Sequence, residues 1–429
     1  MGIHADLTAR TRAVLPSWLA LYYDEPIAID RGVGRTVWDL EGNEYLDFFG
    51  GILTTMTAYS LPEVTEAINE QAAKVLHTST LYLNQPMIEL AEMVAEMSGI
   101  PDARVFFTPS GSEANDAAML LATSYRKSNQ VLALRNSYHG RSFTAIALTA
   151  HRAWSPTGYS GLNVQYVQGP YKVRSPYKDL SDDAFVDAAV EDLNQVIDMM
   201  TSGDVACMIA EPIQGVGGFA TPPDGFFKAF KEVLDEYGIL FVSDEVQTGW
   251  GRTGEHMWGY QAHGITPDIL TFAKGIGNGL SLGGVVAPAE IMNCIGANSI
   301  STFGGNPLVS AGALANLKYL VEHDLQGNAL KQGSRFYEAL LPVTEETPWI
   351  LEFRGKGLML AIETVQPGSM APDSARASRL SEECRRRGLL IGKGGLYGNV
   401  LRIAPPLTVT EEEIDTAARI ITESVSVID

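Results

Sequence analysis

The run Leu240-Phe241-Val242-Ser243-Asp244-Glu245-Val246-Gln247-Thr248-Gly249 is apolar at its start and then carries two adjacent carboxylates. A short β-branched and aromatic run without charge reads as a strand buried on both faces, the kind that fills a parallel sheet. Runs of this form lie over 104–108, 130–135, 206–210, 239–244, 269–273 and 284–287. Helix-like stretches separate them, among them 113–127 and 225–237, the second closed by Gly238 as a C-terminal cap. Such alternation predicts an α/β domain with a mostly parallel central sheet. A strand end in such a sheet is where ligands bind, and this run ends in two adjacent carboxylates there.

The chain has 429 residues, more than one hydrophobic core usually supports, and two domains are expected. Its 45% hydrophobic and 19% charged residues are those of a folded globular protein. Both ends differ from the centre. Trp38-Asp39, Gly42-Asn43 and Tyr45-Leu46-Asp47 form two short alternating runs about a polar glycine turn, a hairpin signal. Long helical runs begin near Ala315. They are followed by Arg354-Gly355-Lys356-Gly357-Leu358, the apolar Met359-Leu360-Ala361-Ile362, and a closing helix after Thr408. These signals predict a large domain over 60–325 and a smaller α+β domain assembled from 1–59 and 326–429.

A net charge of −20 disfavours nucleic acid and anionic membrane surfaces as partners. No apolar run approaches the roughly 20 residues of a membrane-spanning helix. Cys207, Cys294 and Cys384 are odd in number, widely separated and without metal-type spacing. They argue against a disulfide framework and for a reducing, cytoplasmic setting. Although Asp244 with Glu245 alone could equally be a metal ligand pair, no histidine cluster supports a metal.

Candidate chemistry concentrates in five runs. In Phe272-Ala273-Lys274-Gly275-Ile276-Gly277-Asn278-Gly279 a lysine ends an apolar strand and three alternate glycines follow. Desolvation lowers an amine's pKa and makes it a nucleophile toward aldehydes, although a lone lysine is more often a solvated surface residue. Asp244 changes that weighting, because pyridoxal 5'-phosphate (PLP) needs a carboxylate to keep its pyridine nitrogen protonated. Glu245 points the other way by strand periodicity and is expected in a structural salt bridge. Thr108-Pro109-Ser110-Gly111-Ser112-Glu113-Ala114-Asn115 turns from a strand into a helix. Its free amides and the Ser112 hydroxyl suit a phosphate, and Ser112 also fits as an ordinary N-cap. Ser137-Tyr138-His139-Gly140-Arg141 offers an aromatic face beside a cation, though Tyr138 alone reads as core packing. In Thr302-Phe303-Gly304-Gly305-Asn306-Pro307, Pro307 suits a first helical turn and Thr302 can donate to a phosphate.

Together these runs resemble the class III aminotransferases, a branch of the fold-type I PLP enzymes, from about Trp18 to the C-terminus. Within the class, four runs are most similar to the alanine–glyoxylate and 3-aminoisobutyrate–pyruvate aminotransferase group. They are Leu21-Tyr22-Tyr23-Asp24-Glu25-Pro26, His77-Thr78-Ser79-Thr80, Ala210-Glu211-Pro212-Ile213-Gln214-Gly215 and the run from Ala273 to Gly279. The resemblance implies Lys274 as the Schiff-base lysine, Asp244 at the pyridine nitrogen and Gln247 at the phenolic oxygen. Tyr138 would stack on the ring, His139 would also contact the cofactor, and Gly111 with Ser112 would hold the phosphate. Thr302 would reach the phosphate of a partner subunit, which implies a homodimer with shared active sites. Arg402, in Arg402-Ile403-Ala404-Pro405-Pro406, is implied as a carboxylate-binding arginine paired with Glu211, and Tyr22 joins them at the substrate.

Two departures accompany the match. Ala58-Tyr59-Ser60-Leu61-Pro62 stands where a Gly-His-x-His-Pro-like run is usual, which alters the pocket entrance or the dimer contacts. Arg141 matches family members that grip a distal carboxylate and points to an ω-amino acid. The expected activity moves an amino group from an ω-amino acid or alanine to a small 2-oxo acid or aldehyde. A decarboxylase or aminomutase of the same fold shares the cofactor residues and stays open here. A nucleotide-binding oxidoreductase would need Gly-x-Gly-x-x-Gly after a first strand, and that pattern is missing.

Overall fold

The computed structural model describes residues 2–428; Met1 and Asp429, the outermost positions of the expected smaller domain, lie outside the described residues. The glycine turn near Gly42 closes as expected. β1 (Ile29–Val33), β2 (Thr36–Asp39) and β3 (Glu44–Asp47) form an antiparallel ribbon. Asp39 sets the β2–β3 turn by accepting from the Glu41 and Asn43 amides, each at 2.9 Å.

The central sheet has seven strands: β4 (Ala103–Thr108), β5 (Gln130–Leu134), β6 (Asn163–Val167), β7 (Cys207–Ala210), β8 (Leu240–Asp244), β9 (Ile269–Phe272) and β10 (Gly283–Pro288). Their order is β4-β10-β9-β8-β7-β5-β6. Strands β5 to β9 are mutually parallel, and β10 runs antiparallel to both of its neighbours. β10 therefore departs from the parallel arrangement of the other apolar runs. Residues 273–282, which join it to β9, are too few for the crossover that a parallel neighbour needs. β6 escapes a search for apolar runs because it lies at the sheet edge, where only Val167 is fully buried.

Burial on both faces explains the continuous apolar runs. Val131 and Ala133 of β5 pack with Ala118, Met119 and Ala122 of the helix Gly111–Arg126. Leu132 and Leu134 face the opposite layer, built on the helices Asp182–Met200 and Phe226–Tyr237. Phe226 and Phe230 stack there with centroids 4.4 Å apart, beside Phe185, Phe227 and Phe241. Each buried phenylalanine contributes about 1.5–3 kcal/mol, so packing more than intrinsic propensity holds these helices in place.

The C-terminal part contributes β11 (Ile350–Lys356), β12 (Met359–Thr364), β13 (Leu389–Leu390), β14 (Gly392–Gly394) and β15 (Val400–Ile403). β11-β12-β15-β14 form an antiparallel sheet, and β13 pairs in parallel with β3, joining the two ends of the chain. The closing helix, Glu411–Ser426, starts at a reciprocal cap between Thr410 and Glu413.

Candidate active site

The carboxyl ends of β4, β5, β7, β8 and β9 share one edge of the central sheet, and a cleft of about 460 Å³ opens along it. Its wall takes Gly111 and Ser112 after β4, Tyr138 to Arg141 after β5, Glu211 after β7, Asp244 and Gln247 at and after β8, and Lys274 after β9. The chain ends add Tyr22, Gly51, Ile52, Thr54 and Arg402. Of the candidate residues only Thr302 is absent from this wall; it lies on an exposed loop.

Asp244 is buried and held from three sides. Its Oδ2 accepts from Asn115 Nδ2 at 2.8 Å and lies 2.7 Å from His139 Nδ1, while Oδ1 accepts from the Val246 amide at 3.1 Å. Asn115 also donates to the His139 carbonyl and accepts from Thr271 Oγ1 at 2.7 Å, so one amide ties a helix, a loop and two strands together. Asn115 closes the 108–115 run, and no motif in the sequence marks it as a partner of Asp244. Its signal was a polar side chain on a helix face lined by Ala114 and Ala118, where burial demands partners.

Glu245 does point to the far side, but it forms no salt bridge among the described residues. It accepts from the Gly259 and Tyr260 amides, both at 2.8 Å, and from the Ser243 and Thr248 hydroxyls. Burial pushes its carboxyl up, and neutral donors take the place of a cation. The N-cap also differs from expectation. Ser110 caps the helix, its Oγ accepting from the Glu113 amide at 3.2 Å, while Ser112 Oγ accepts from the Arg141 amide at 3.1 Å. Gly140 permits that approach: at φ +129, a Cβ there would stand 2.4 Å from Ser112 Oγ.

Lys274 opens a single 3₁₀ turn at φ +48. Burial lowers its amine to about 8, against the opposing pull of Asp244 and Glu211. A usable fraction of free amine then exists near neutral pH. Tyr138 packs edge-on against Trp154 with ring centroids 5.6 Å apart. Gln247 Oε1 and His139 Nε2 are buried without a hydrogen-bond partner among the described residues. An aldehyde-reactive amine, a fixed carboxylate, a helix N-terminus and these two open polar atoms fit a planar, phosphorylated aldehyde such as PLP.

At the other side of the cleft, Arg402 and Glu211 do not pair. Arg402 donates through Nε and Nη2 to the Lys393 carbonyl at 3.1 and 2.9 Å and through Nη1 to the Gly215 carbonyl at 3.4 Å. Glu211 accepts from the Tyr138 and Gly215 amides at 2.9 and 2.8 Å. Each charge is thus satisfied by backbone. Burial pushes the Glu211 carboxyl up and the Arg402 guanidinium down, as expected for charges without a contact partner. Tyr22 Oη donates to the same Lys393 carbonyl at 3.4 Å. Arg141 is exposed at the mouth, its guanidinium 5.3 Å from the Trp18 ring, with no ion pair among the described residues. Among the described residues no His, Cys, Asp and Glu cluster could hold a metal, and no helix is long and apolar enough to cross a membrane.

The mixed sheet and the cleft on its carboxyl edge are those of the fold-type I PLP-dependent transferases. The branch is decided by sequence: residues 21–425 match the family described as Aminotransferase class-III, and the chain belongs to it. It is 36% identical to an alanine–glyoxylate aminotransferase 2 homologue of Arabidopsis thaliana, over 96% of this chain and 86% of that one. It is 32% identical to a 4-aminobutyrate aminotransferase of Escherichia coli, over 99% and 98%. A thermostable (S)-enantioselective omega-transaminase from Thermomicrobium roseum superimposes with a TM-score of 0.92 at 34% identity, covering 100% and 99% of the two chains. The protein is a PLP-dependent aminotransferase that moves an amino group from an amino donor to an oxo-acid acceptor.

Proposed function

We propose that Lys274 holds PLP and moves the proton, that the donor is an ω-amino acid or alanine, and that the acceptor is a small 2-oxo acid. PLP, when bound, supplies an electron sink for the donor's amine-bearing carbon. Lys274 Nζ takes the proton from that carbon, a task suited to a buried amine whose pKa lies near 8. Asp244 would face the ring nitrogen, and Asn115 and His139 hold its carboxyl in one orientation. Gly111 and Ser112 would hold the phosphate at the helix N-terminus, Gln247 would serve the phenolic oxygen, and Tyr138 would offer its face to the ring.

Two arginines reach the cleft without a carboxylate partner, Arg402 deep inside and Arg141 at the mouth. A 2-oxo acid presents its carboxylate beside the reacting carbon and takes Arg402. An ω-amino acid has no carboxylate there, so Arg402 remains on the Lys393 and Gly215 carbonyls while Arg141 takes the distal group. The 4-aminobutyrate relative supports a donor of this kind. Half-reactions measured separately test the division. Arg402→Ala should weaken the oxo-acid half by about 10²-fold, the loss of a bidentate charge pair, and largely spare the ω-amino half. Arg141→Ala should do the reverse, and equal damage to both halves from either change overturns the assignment.

Thr302 carries the proposal of a homodimer with shared sites. It lies outside its own cleft, on an exposed loop whose neighbours Ile300 and Phe303 are exposed and apolar, as are Leu81, Tyr82 and Leu83. A second copy covering this surface would bring Thr302 to the partner's phosphate. Mixing Lys274→Ala chains with Thr302→Ala chains should then restore activity, because hybrid dimers place both lesions in one site and leave the other intact. A fully active monomer in sedimentation removes the premise.

A further inference from the structure

Two buried arginines grip one turn. Residues 215–218 close through the Gly218 amide, which donates to the Gly215 carbonyl at 3.2 Å. Arg402 reaches that Gly215 carbonyl from the cleft. From the far side Arg354, on β11, donates through Nε and Nη2 to the Gly218 carbonyl at 3.1 and 2.7 Å. Gly218 stands at φ +100, and a Cβ there would come within 3.2 Å of Arg354 Nη2 and 3.0 Å of Val400 Cγ2. Only glycine lets the guanidinium reach the carbonyl in that conformation.

Arg354 lines no part of the cleft. Its Nη1 donates to Glu352 and Glu363, each at 2.7 Å, and Glu363 also takes Arg174 Nε at 2.7 Å and the Tyr171 hydroxyl. Arg174 already supplies a cation to buried Glu363, so charge balance alone does not require a second one. What Arg354 adds is a planar fork with one arm on the carboxylates and the other on Gly218.

The same turn touches the groups around Arg402 and Gln247. The Gly215 amide holds Glu211, and the Gln247 side chain lies so close to Gly215 that a Cβ would stand 2.1 Å from its Nε2. The Val216 carbonyl accepts from the Gly395 amide at 2.9 Å, two residues beyond the Lys393 carbonyl that carries Arg402. We propose that Arg354 is a positioning residue for the acceptor: by holding Gly218 it fixes the 215–218 turn, and through Gly215 it sets where Arg402 waits for a 2-oxo acid carboxylate. This rests on Arg402 being the acceptor's carboxylate ligand.

Arg354→Lys keeps a cation beside Glu363 but cannot span the carboxylates and the Gly218 carbonyl as a fork. The expected result is a folded holoenzyme whose KM for pyruvate or glyoxylate rises about 10-fold through misplacement. Its kcat and its ω-amino half-reaction should stay within about twofold, and hydrogen exchange at the Gly218 and Phe219 amides should quicken. Gly218→Ala attacks the same link from the turn, leaves the Arg354–Glu363 pair in place, and should give the same pattern. Arg402→Lys is measured alongside. An unchanged acceptor KM in that variant refutes the role of Arg402 itself. A raised KM there, with wild-type KM and exchange in folded Arg354→Lys, overturns the positioning role. So does an equal fall of both half-reactions in Arg354→Lys, which is what a merely structural residue would give.

Discussion

Replacing Lys274 by alanine should abolish turnover while leaving a cleft that still binds PLP. In the proposed role the residue supplies both the covalent link and the base, and removing a positioned base alone costs about 10²–10⁴-fold, so the rate should fall by ~10⁴-fold or more. The phosphate and ring contacts proposed for Gly111, Ser112, Tyr138 and Gln247 are untouched by the change, so cofactor affinity persists. In the wild-type protein, borohydride reduction followed by tryptic mapping should place the adduct on Lys274. An adduct on another lysine refutes the assignment. The pH dependence gives a second readout. Only the unprotonated amine attacks an aldehyde, and burial lowers this amine from 10.5 to about 8. Covalent capture of PLP by the apoenzyme should therefore accelerate with rising pH and level off above about 8. A rate still climbing toward the ordinary lysine value near 10.5 would mean that the amine is not desolvated.

Asp244→Asn should produce the second-largest loss, on the order of 10²-fold or more in transamination, with the fold and much of the cofactor binding retained. The amide is isosteric, and an oxygen at Oδ1 or Oδ2 still accepts from Val246 or Asn115. What disappears is the carboxylate proposed to keep the ring nitrogen protonated as electrons leave the donor carbon. Circular dichroism and the cofactor's visible band check the fold and the loading, and stopped-flow half-reactions check the rate. Near wild-type rates in a loaded protein would show that another group faces the nitrogen.

The Asp244 variant also separates what is local from what is not. That Asp244 ends a buried strand follows from five consecutive residues, because strand periodicity and continuous burial are properties of the run itself. Its grip by Asn115 and His139 depends on a helix and a loop that lie far away in sequence. Glu245 shows the same division. Its direction followed from alternation, but amides and hydroxyls rather than a cation satisfy it, because the 259–260 turn packs against it.

The sequence by itself determined the α/β alternation, six of the seven central strands, the hairpin near Gly42 and the residue types at the head of each loop. These are short-range properties: period, turn chemistry and the sites where an apolar run stops. Only the tertiary structure decided that β10 runs antiparallel, that Ser110 caps the helix in place of Ser112, that Arg402 rests on carbonyls without touching Glu211, and that Arg354 holds Gly218. Each of these is a choice of partner. A buried donor or acceptor takes whichever group the packed chain brings within about 3 Å, and that group usually comes from a distant segment.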